Sequence, residues 1–387
     1  MTTEKILFSL LRNAVFDAPL DKRTLEACTP DALLSVYKLA KAHDVAHLMG
    51  KALDKAGLPE CEAITKSRNK MLQAVYRYVQ QDYEYQQVCA VLTEADIPYI
   101  PLKGTVLRPY YPEPWMRTSC DTDVLIHQAD LEKAQTLLQD KLHFVERRLS
   151  PHDVSLITPS NNLVELHFAI VEDFVLPKAR EILDQIWDYA VPVEGHPCEY
   201  ALPDELFYYY HMVHMAKHVI NGGCSIRFFL DTWMLNHRID HDREARLAYL
   251  EKGYRLTFAK AAEQLSEAWF SDVKGDTLTG YFATYILRGG DFGTMTNRVA
   301  LRRAKEGGKF RSLMRRIILP YDLIKYYYPI LQEKKWLTPW YQLVRWWNLL
   351  TKGDVKHSVM EARTIAKFEE TGNVSAELLL THLGLDE

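Results

Sequence analysis

Residues 117–126 of the chain read RTSCDTDVLI, and this stretch does most to decide the fold. Side chains two apart on a β-strand lie on the same face, so a strand here places Asp121 and Asp123 side by side. The apolar run at 124–126 is typical of a buried strand. Neighbouring carboxylates repel each other unless a cation lies between them, and Mg²⁺ prefers carboxylate and phosphate oxygens. The stretch therefore predicts a strand that carries a metal site suited to phosphate groups.

The segments around this strand alternate between strand and helix patterns. Residues 96–102 (DIPYIPL) are a short apolar run interrupted by prolines, which predicts a strand that enters a turn at Lys103-Gly104, with a helix from Thr105. Later patterns predict a helix at 129–142 and strands at 144–149, 154–158 and 163–170. Together these elements predict a small mixed β-sheet core over residues 96–195.

Apolar residues recur at helical spacing on both sides of this core. The patterns predict a helical region at residues 1–95, with one long helix over about 63–94, and a second helical region at residues 196–387. The sequence therefore predicts an α+β fold, in which a small mixed sheet is flanked by helical N-terminal and C-terminal regions.

The second helical region is rich in aromatic residues. Aromatic side chains bury large areas, so the run at 207–210 and four tryptophans are interpreted as side chains that pack between helices. The tryptophans are Trp336, Trp340, Trp346 and Trp347.

A third carboxylate lies on the last predicted strand of the core, where residues 163–168 read LVELHF. The apolar residues at 164, 166 and 168 define one face, so Glu165 and His167 lie on the other. Glu165 is either a third metal ligand or an outward-facing polar residue. His167 is either a structural hydrogen-bonding residue near the site or a direct contact with substrate.

A second Asp-x-Asp occurs at residues 240–242 (DHD), with the same spacing as the first. It lies in a polar stretch between two helical patterns, which is typical of a solvated turn. Asp121 and Asp123 differ because an apolar strand follows them, a glycine-containing turn precedes them and a third carboxylate accompanies them. We therefore place the metal site at Asp121 and Asp123.

These residues together resemble a bacterial family of uncharacterised nucleotidyltransferases, a branch of the polymerase-β-like superfamily. The resemblance is most specific between residues 102 and 167 and extends to the helical lead-in and to residues after the sheet. It rests on Lys103-Gly104, Arg117, Asp121, Asp123, Glu165 and His167, and further along on His211, His214, His218, Arg227 and Asp231.

The resemblance implies a role for several of these residues. Asp121 and Asp123 would bind two Mg²⁺ ions, with Mn²⁺ as an alternative, and Glu165 would complete the triad and help to activate an acceptor hydroxyl. Gly104 would let the backbone approach the triphosphate. Two positions depart from the superfamily: Thr105 replaces the usual serine, with a hydroxyl that can serve phosphate equally well, and Glu165 replaces the usual aspartate.

Lys103 and Arg117 are the cations that we expect to face the phosphates, because phosphoryl transfer depends on positioning and on neutralising the triphosphate. The other reading of each is ordinary surface charge. The pattern GxxxxGK[ST] does not occur in the sequence, which disfavours a P-loop mechanism.

A helix over residues 208–218 would place His211, His214 and His218 on one face, since these positions are three and four residues apart. Without a carboxylate or cysteine at ligand spacing, we interpret the face as packing against the sheet and lining the cleft, rather than as a zinc site. Arg227 and Asp231 either form an ion pair along a helix or reach the nucleotide.

The expected reaction moves a nucleoside monophosphate from an NTP, with ATP as the first choice, to an acceptor hydroxyl. A small-molecule or protein acceptor is favoured over RNA. The alternative is a catalytically silent member that binds nucleotide or a partner protein. A basic stretch at residues 298–316 is interpreted as a solvated face, with an RNA-binding surface as the other reading.

The composition favours a cytoplasmic protein with no membrane partner. The formal net charge is -4, and the six cysteines form no CxxC pair, which indicates reduced thiols. The N-terminal residues lack a signal-peptide cleavage site, and no stretch approaches the roughly 20 apolar residues of a membrane span.

Overall fold

The structure, a computed structural model, describes residues 1–150, 152–170, 177–271, 273–290, 318–321, 324–325, 328, 330–351 and 374–385. Within these residues the helices are α1 (Thr3–Phe16), α2 (Lys22–Ala27), α3 (Pro30–Ala42), α4 (Ala46–Lys55), α5 (Glu62–Glu94), α6 (Gly104–Leu107), α7 (Leu131–Leu142), α8 (Pro177–Leu183), α9 (Ile186–Tyr189), α10 (Asp204–Ile220), α11 (Ile226–His237), α12 (Arg243–Lys252), α13 (Leu256–Phe270), α14 (Thr277–Gly289), α15 (Ile330–Glu333), α16 (Thr338–Thr351) and α17 (Val374–His382). The strands are β1 (Tyr99–Pro101), β2 (Asp121–Ile126), β3 (Val145–Leu149), β4 (Asp153–Ile157), β5 (Leu163–His167), β6 (Val191–Val193) and β7 (His196–Ala201).

The strands form one sheet of seven strands in the order β3-β4-β5-β2-β1-β7-β6. β2 runs parallel to β5 and antiparallel to β1, so the sheet is mixed. The predicted α+β fold, with a mixed sheet between helical regions, is confirmed. β2 and β5 lie near the middle of the sheet, which places the predicted metal ligands on its central strands.

The two faces of the central strands have different partners. Val124 and Ile126 of β2 and Val164 and Leu166 of β5 share a buried cluster with residues of α5 and α7. The side chains that alternate with them, which include the predicted metal ligands, lie on the other face, toward α10. One side of the sheet is therefore a packed core and the other is available for chemistry.

Helix α5 connects the two hydrophobic cores that the described residues form. Its first half contributes Ala63 and Ile64 to the larger core between the helices. Its second half contributes Val88 and Leu92 to the core beneath the sheet. The predicted long helix is thus an element that holds the sheet against the helical region.

The hairpin formed by β6 and β7 was not predicted from the sequence. Pro192 and Pro197 lie within it, and proline removes a backbone donor that a strand normally uses. β6 tolerates its proline because it is the last strand of the sheet. β7 pairs parallel with β1 and carries the sheet on to Ala201, past the predicted core limit at residue 195. The three-domain division itself stays a prediction.

The aromatic-rich segments differ in burial. The run at 207–210 is buried within α10, as predicted. The prediction of a packed core is wrong for Trp336, Trp340 and Trp347, whose exposed fractions are 76%, 62% and 68%, and for Trp346, at 36%. In α16 the buried side chain is that of Gln342, whose amide donates a hydrogen bond to the backbone oxygen of Leu319. Trp340 and Trp347 lie on the opposite side of the helix, and Trp336 precedes it.

The basic stretch at residues 298–316 lies outside the described residues, and both readings of it stay predictions. Of the helices that the structure describes, none combines the length and the hydropathy that crossing a membrane requires.

Candidate active site

The predicted carboxylates meet through the pairing of two central strands. β2 and β5 run parallel, and Asp123 lies opposite Glu165 in their register. Asp121 lies two residues earlier on the same face of β2, opposite Leu163. Residues far apart in the sequence thus place their carboxylates on one face of the sheet, as the alternating patterns predicted.

Asp123 is the centre of the cluster. Its Oδ1 atom accepts a hydrogen bond from Nζ of Lys103 at 2.5 Å and lies 2.7 Å from Nε2 of His167. The same Nε2 atom lies 3.6 Å from Oε2 of Glu165. Because Asp123 is only 2% exposed, its charge depends on these two neighbours for stabilisation.

The two aspartates differ in proton affinity. Burial, followed by the charge of Asp123, raises the pKa of Asp121 above its usual range. Burial acts in the same direction on Asp123, but the charge of Lys103 and the hydrogen bond with His167 outweigh it, so its pKa is lowered. The pair therefore holds one firmly ionised carboxylate and one whose negative charge is unfavourable until a further cation approaches.

The donor set fits a divalent metal ion. Asp123, Glu165 and His167 each offer one ligand atom, and these atoms lie within 4.8 Å of one another. Two carboxylates and an imidazole are ligands that divalent cations take. A positive ion beside Asp121 would favour the ionised form of its carboxyl, whose pKa burial and the charge of Asp123 raise.

Helix α10 lies opposite the cluster, and a cavity of about 210 Å³ lies between them. The helix contributes Tyr210, His214 and Lys217 to the lining. The sheet and the turns that adjoin it contribute Lys103, Glu165 and His167 with Arg148, His152 and Asp153. The cavity therefore brings acidic ligands and several basic side chains together, which is the composition that a metal-bound polyphosphate requires.

Comparison with known protein families identifies the chain at this point. A family model described as uncharacterised nucleotidyltransferase matches residues 32–271, which is more than half of the chain. The chain belongs to this nucleotidyltransferase family. Searches of curated proteins and of solved structures gave no match. The matched region contains the sheet, the carboxylate cluster and α10, so the family resemblance seen in the sequence is confirmed for the part that forms the site.

In this member of the nucleotidyltransferase family, Arg117 and Asp231 form a buried ion pair beside the cluster. Nε of Arg117 donates to Oδ1 of Asp231 at 3.1 Å, and Nη2 donates to Oδ2 at 2.9 Å. Nη1 donates to the backbone oxygen of Thr118 at 2.8 Å, and the Tyr111 hydroxyl donates to Asp231 at 2.7 Å. The structure thus uses Arg117 to tie the loop before β2 to α11, and its predicted contact with phosphate stays a prediction.

Arg227 binds the same loop from a second direction. Its Nη1 atom donates to the backbone oxygen of Thr118 at 2.6 Å and to Oδ2 of Asp44 at 3.2 Å. Arg227 and Asp231 therefore pair with residues of other elements rather than with each other along the helix. The charge of Arg227 also lowers the pKa of Asp121, although burial and Asp123 outweigh it.

Lys103 and Gly104 form the turn between β1 and the loop before β2. Lys103 has a φ of 47°, a backbone conformation that is rare for residues other than glycine and concentrates at functional sites. A Cβ atom on Gly104 would lie 3.2 Å from Nη1 of Arg117 and 3.2 Å from Cβ of Ser119. Gly104 thus permits close packing on the loop, and Thr105 follows it, half-buried, in α6.

The three histidines of α10 do not share one environment. His214 lines the cavity, and its Nε2 atom lies 3.2 Å from Nε2 of His218. His211 is bonded to the hydroxyl of Thr232 at 3.1 Å, away from the cavity. Burial, followed by nearby positive charges, lowers the pKa of His218 to about 3 and that of His214 well below its usual value. Both are neutral, polar neighbours of the site at physiological pH.

Sequence reasoning missed Lys217, Tyr210 and Asp153 as lining residues. Tyr210, His214 and Lys217 are four and three residues apart, so a helical pattern that included His214 contained the information. Asp153 lies opposite His167 in the register of β4 and β5. Alternation along β4 would have placed it with Ser155, whose hydroxyl oxygen lies 3.2 Å from Oδ2 of Asp153 and 3.3 Å from Oε1 of Glu165, within donating distance of either.

Proposed function

We propose that this chain transfers a nucleoside monophosphate from an NTP to an acceptor hydroxyl and releases pyrophosphate. Membership of the nucleotidyltransferase family supports the reaction class. The observation that carries the proposal is the position of Glu165 directly opposite Asp123, with Asp121 on the same face of β2. A structural role alone would not require three carboxylates on the central strands, because buried like charges are costly without a cation.

In this proposal Asp121, Asp123 and Glu165 hold the divalent cations, with Mg²⁺ and Mn²⁺ as the candidates. Bound there, the cations would neutralise the attacking and leaving oxygens of an in-line displacement. The acceptor oxygen forms the new bond to the α-phosphorus as the bond to the bridging oxygen of pyrophosphate breaks. Glu165 takes the proton of the acceptor hydroxyl.

Lys103 and Lys217 are the residues proposed to neutralise the triphosphate. Lys103 is paired with Asp123 in the structure, and its pKa is raised because that attraction outweighs the effect of burial, so it carries a charge. When nucleotide and cations enter, Lys103 would exchange Asp123 for a phosphate oxygen. Gly104, Thr105 and Arg117 shape the same turn and loop.

The acceptor is proposed to be a small molecule or a protein hydroxyl rather than RNA, and ATP the donor, in the cytoplasm of a bacterium. The basic side chains of the described site line one cavity of about 210 Å³ rather than an extended groove, which supports the reacting end of a substrate over a nucleic-acid strand.

A catalytically silent, nucleotide-binding member is the second candidate. The pair between Lys103 and Asp123 favours it, because an ammonium group already satisfies the carboxylate that the chemistry needs most. Magnesium- or manganese-dependent pyrophosphate release separates the two candidates.

The test is incubation of the protein with each labelled NTP and a cell extract, followed by mass spectrometry of the products and measurement of pyrophosphate. We expect a nucleotide adduct on one acceptor, which disappears when a chelator removes the cations. Tight NTP binding with neither an adduct nor pyrophosphate under any metal would favour the silent candidate.

A further inference from the structure

His167 lies within the carboxylate cluster rather than at its edge. Its Nε2 atom is 2.7 Å from Oδ1 of Asp123 and 3.6 Å from Oε2 of Glu165. The family's reaction needs only the carboxylates and phosphate oxygens as metal ligands. An imidazole nitrogen at the same position changes which metal the site will prefer.

The fold leaves His167 little freedom to move away. The residue ends β5, is 4% exposed, and lies between Leu125 of β2 and Asp153 of β4 in the sheet register. A cation that both Asp123 and Glu165 bind therefore meets the Nε2 atom as well, since the three ligand atoms lie within 4.8 Å of one another.

The second ring nitrogen of His167 allows this role. Within the described part of the chain, the buried Nδ1 atom has no hydrogen-bond partner. When a cation replaces the hydrogen bond between Nε2 and Asp123, the proton of the neutral ring can reside on Nδ1, and the lone pair of Nε2 is then directed at the cation. That tautomer is the one in which Nε2 binds a metal ion.

We propose that His167 is a direct ligand of the cation held by Asp123 and Glu165, and that it gives this position a preference for Mn²⁺ over Mg²⁺. The inference rests on the proposed nucleotidyl transfer. Mg²⁺ is a hard ion that favours oxygen ligands, whereas imidazole suits first-row transition metals. Among these, Mn²⁺ is the one that carboxylate and phosphate oxygens also suit, so a mixed set of two carboxylates and one imidazole selects it.

The competing interpretation is that His167 only orients Asp123 through a hydrogen bond. The two interpretations differ in a spectroscopic quantity that does not depend on turnover. Mn²⁺ is paramagnetic, and electron spin-echo envelope modulation detects the ¹⁴N nucleus of a directly bound imidazole. A histidine that is only hydrogen-bonded to a carboxylate ligand does not give the coupling of a direct ligand.

The experiment uses the full chain with Mn²⁺, first alone and then with a non-hydrolysable NTP. We expect ¹⁴N modulation typical of a bound imidazole in the wild type, its loss in His167→Gln, and its retention in His152→Gln. His152 is the matched control because it lines the same cavity, with its ring centroid 5.8 Å from that of His167. We also expect His167→Gln to lower the ratio of Mn²⁺ to Mg²⁺ affinity about tenfold or more, measured by competition.

Bound Mn²⁺ without ¹⁴N modulation in the wild type would overturn the proposal, as would modulation lost in His152→Gln, or no Mn²⁺ binding under either condition. The wild-type spectrum decides the matter even if His167→Gln does not fold. Modulation in a protein that releases no pyrophosphate would contradict the proposed function and leave the ligand assignment intact. Pyrophosphate release by a protein whose bound Mn²⁺ shows no ¹⁴N modulation would support the proposed function and contradict the assignment of His167 as a ligand.

Discussion

The chain contains two copies of the Asp-x-Asp spacing, and the structure gives them opposite environments. Asp121 and Asp123 lie on β2, in the middle of the sheet, where Asp123 is 2% exposed and bonded to Lys103 and His167. Asp240 and Asp242 are both exposed, and Asp242 is the N-cap of α12, where its Oδ1 atom accepts hydrogen bonds from two backbone amides.

The comparison shows that the neighbours of an Asp-x-Asp, rather than its spacing, make it a site. On β2 the parallel strand β5 supplies a third carboxylate and an imidazole. At the start of α12 the same spacing only satisfies amides that a helix leaves without partners. The expectation of a solvated segment is confirmed for Asp240 and Asp242, which are exposed, and Asp242 has a capping role in addition.

The largest expected difference between the two copies concerns turnover. Asp123→Asn should lower metal-dependent pyrophosphate release about a thousandfold or more, because one ligand of the cations is lost. Asp242→Asn, the matched change in the second copy, should leave the rate as in the wild type. Equal rates of pyrophosphate release in the two variants would contradict the conclusion that only the copy on β2 is a metal site.

The next largest effect concerns stability without metal. Asp123→Asn leaves the charge of Lys103 without its partner, so the free energy of unfolding should fall by about 3 kcal/mol. Asp121→Asn should instead raise it, because burial and the charge of Asp123 disfavour the ionised Asp121. Urea unfolding in the presence of a chelator measures both, and a loss of stability in Asp121→Asn would contradict the charge assignment.

The third prediction concerns Lys103, the cationic side chain that pairs with Asp123 and that, among the described residues, has no counterpart at the second Asp-x-Asp. Lys103→Ala should weaken binding of a non-hydrolysable NTP by about 1.5–3 kcal/mol, the value of one charged hydrogen bond. It should also tighten Mn²⁺ binding without nucleotide, because Lys103 competes for Asp123. Calorimetric titration measures both, with Lys141→Ala as the control on an exposed pair with Glu94. If Lys103→Ala left the nucleotide and metal affinities unchanged, Lys103 would have no role in binding either ligand.

The smallest effect belongs to the second copy. Asp242→Ala removes the N-cap of α12 and should cost about 1 kcal/mol of unfolding free energy. Asp242→Asn keeps a capping oxygen and should cost less. Thermal unfolding compares the two, and a loss of pyrophosphate release in Asp242→Ala at a temperature where the protein stays folded would show that the second copy has a catalytic role.

The site was predictable as far as local patterns reach. Alternation along β2 and β5 placed Asp121, Asp123, Glu165 and His167 on polar faces, because side-chain direction on a strand depends only on position. The same logic gave the core face at Val164 and Leu166, which the structure confirms. The roles that we assign to the predicted residues stay predictions until the variants are measured.

Other features of the structure depend on contacts between elements that are distant in the sequence, and local patterns do not predict them. The outward-facing tryptophans of α16 and the proline-containing strands β6 and β7 gave misleading or weak local patterns. The buried pair of Arg117 with Asp231 joins a loop to a helix more than a hundred residues away. No periodicity indicates such a pair, because its geometry depends on how distant elements pack.

The sequence by itself thus determined the order and type of most elements, the polar faces of the central strands and the family to which the chain belongs, since these depend on local spacing and on residue identity. Only the tertiary structure decided that Asp123 lies opposite Glu165, that Lys103 forms an ion pair with Asp123, and that α10 brings Lys217 to the cavity. Strand register and helix docking depend on the packing of the two hydrophobic cores of the described residues, whose members come from distant parts of the sequence, so no short stretch contains them.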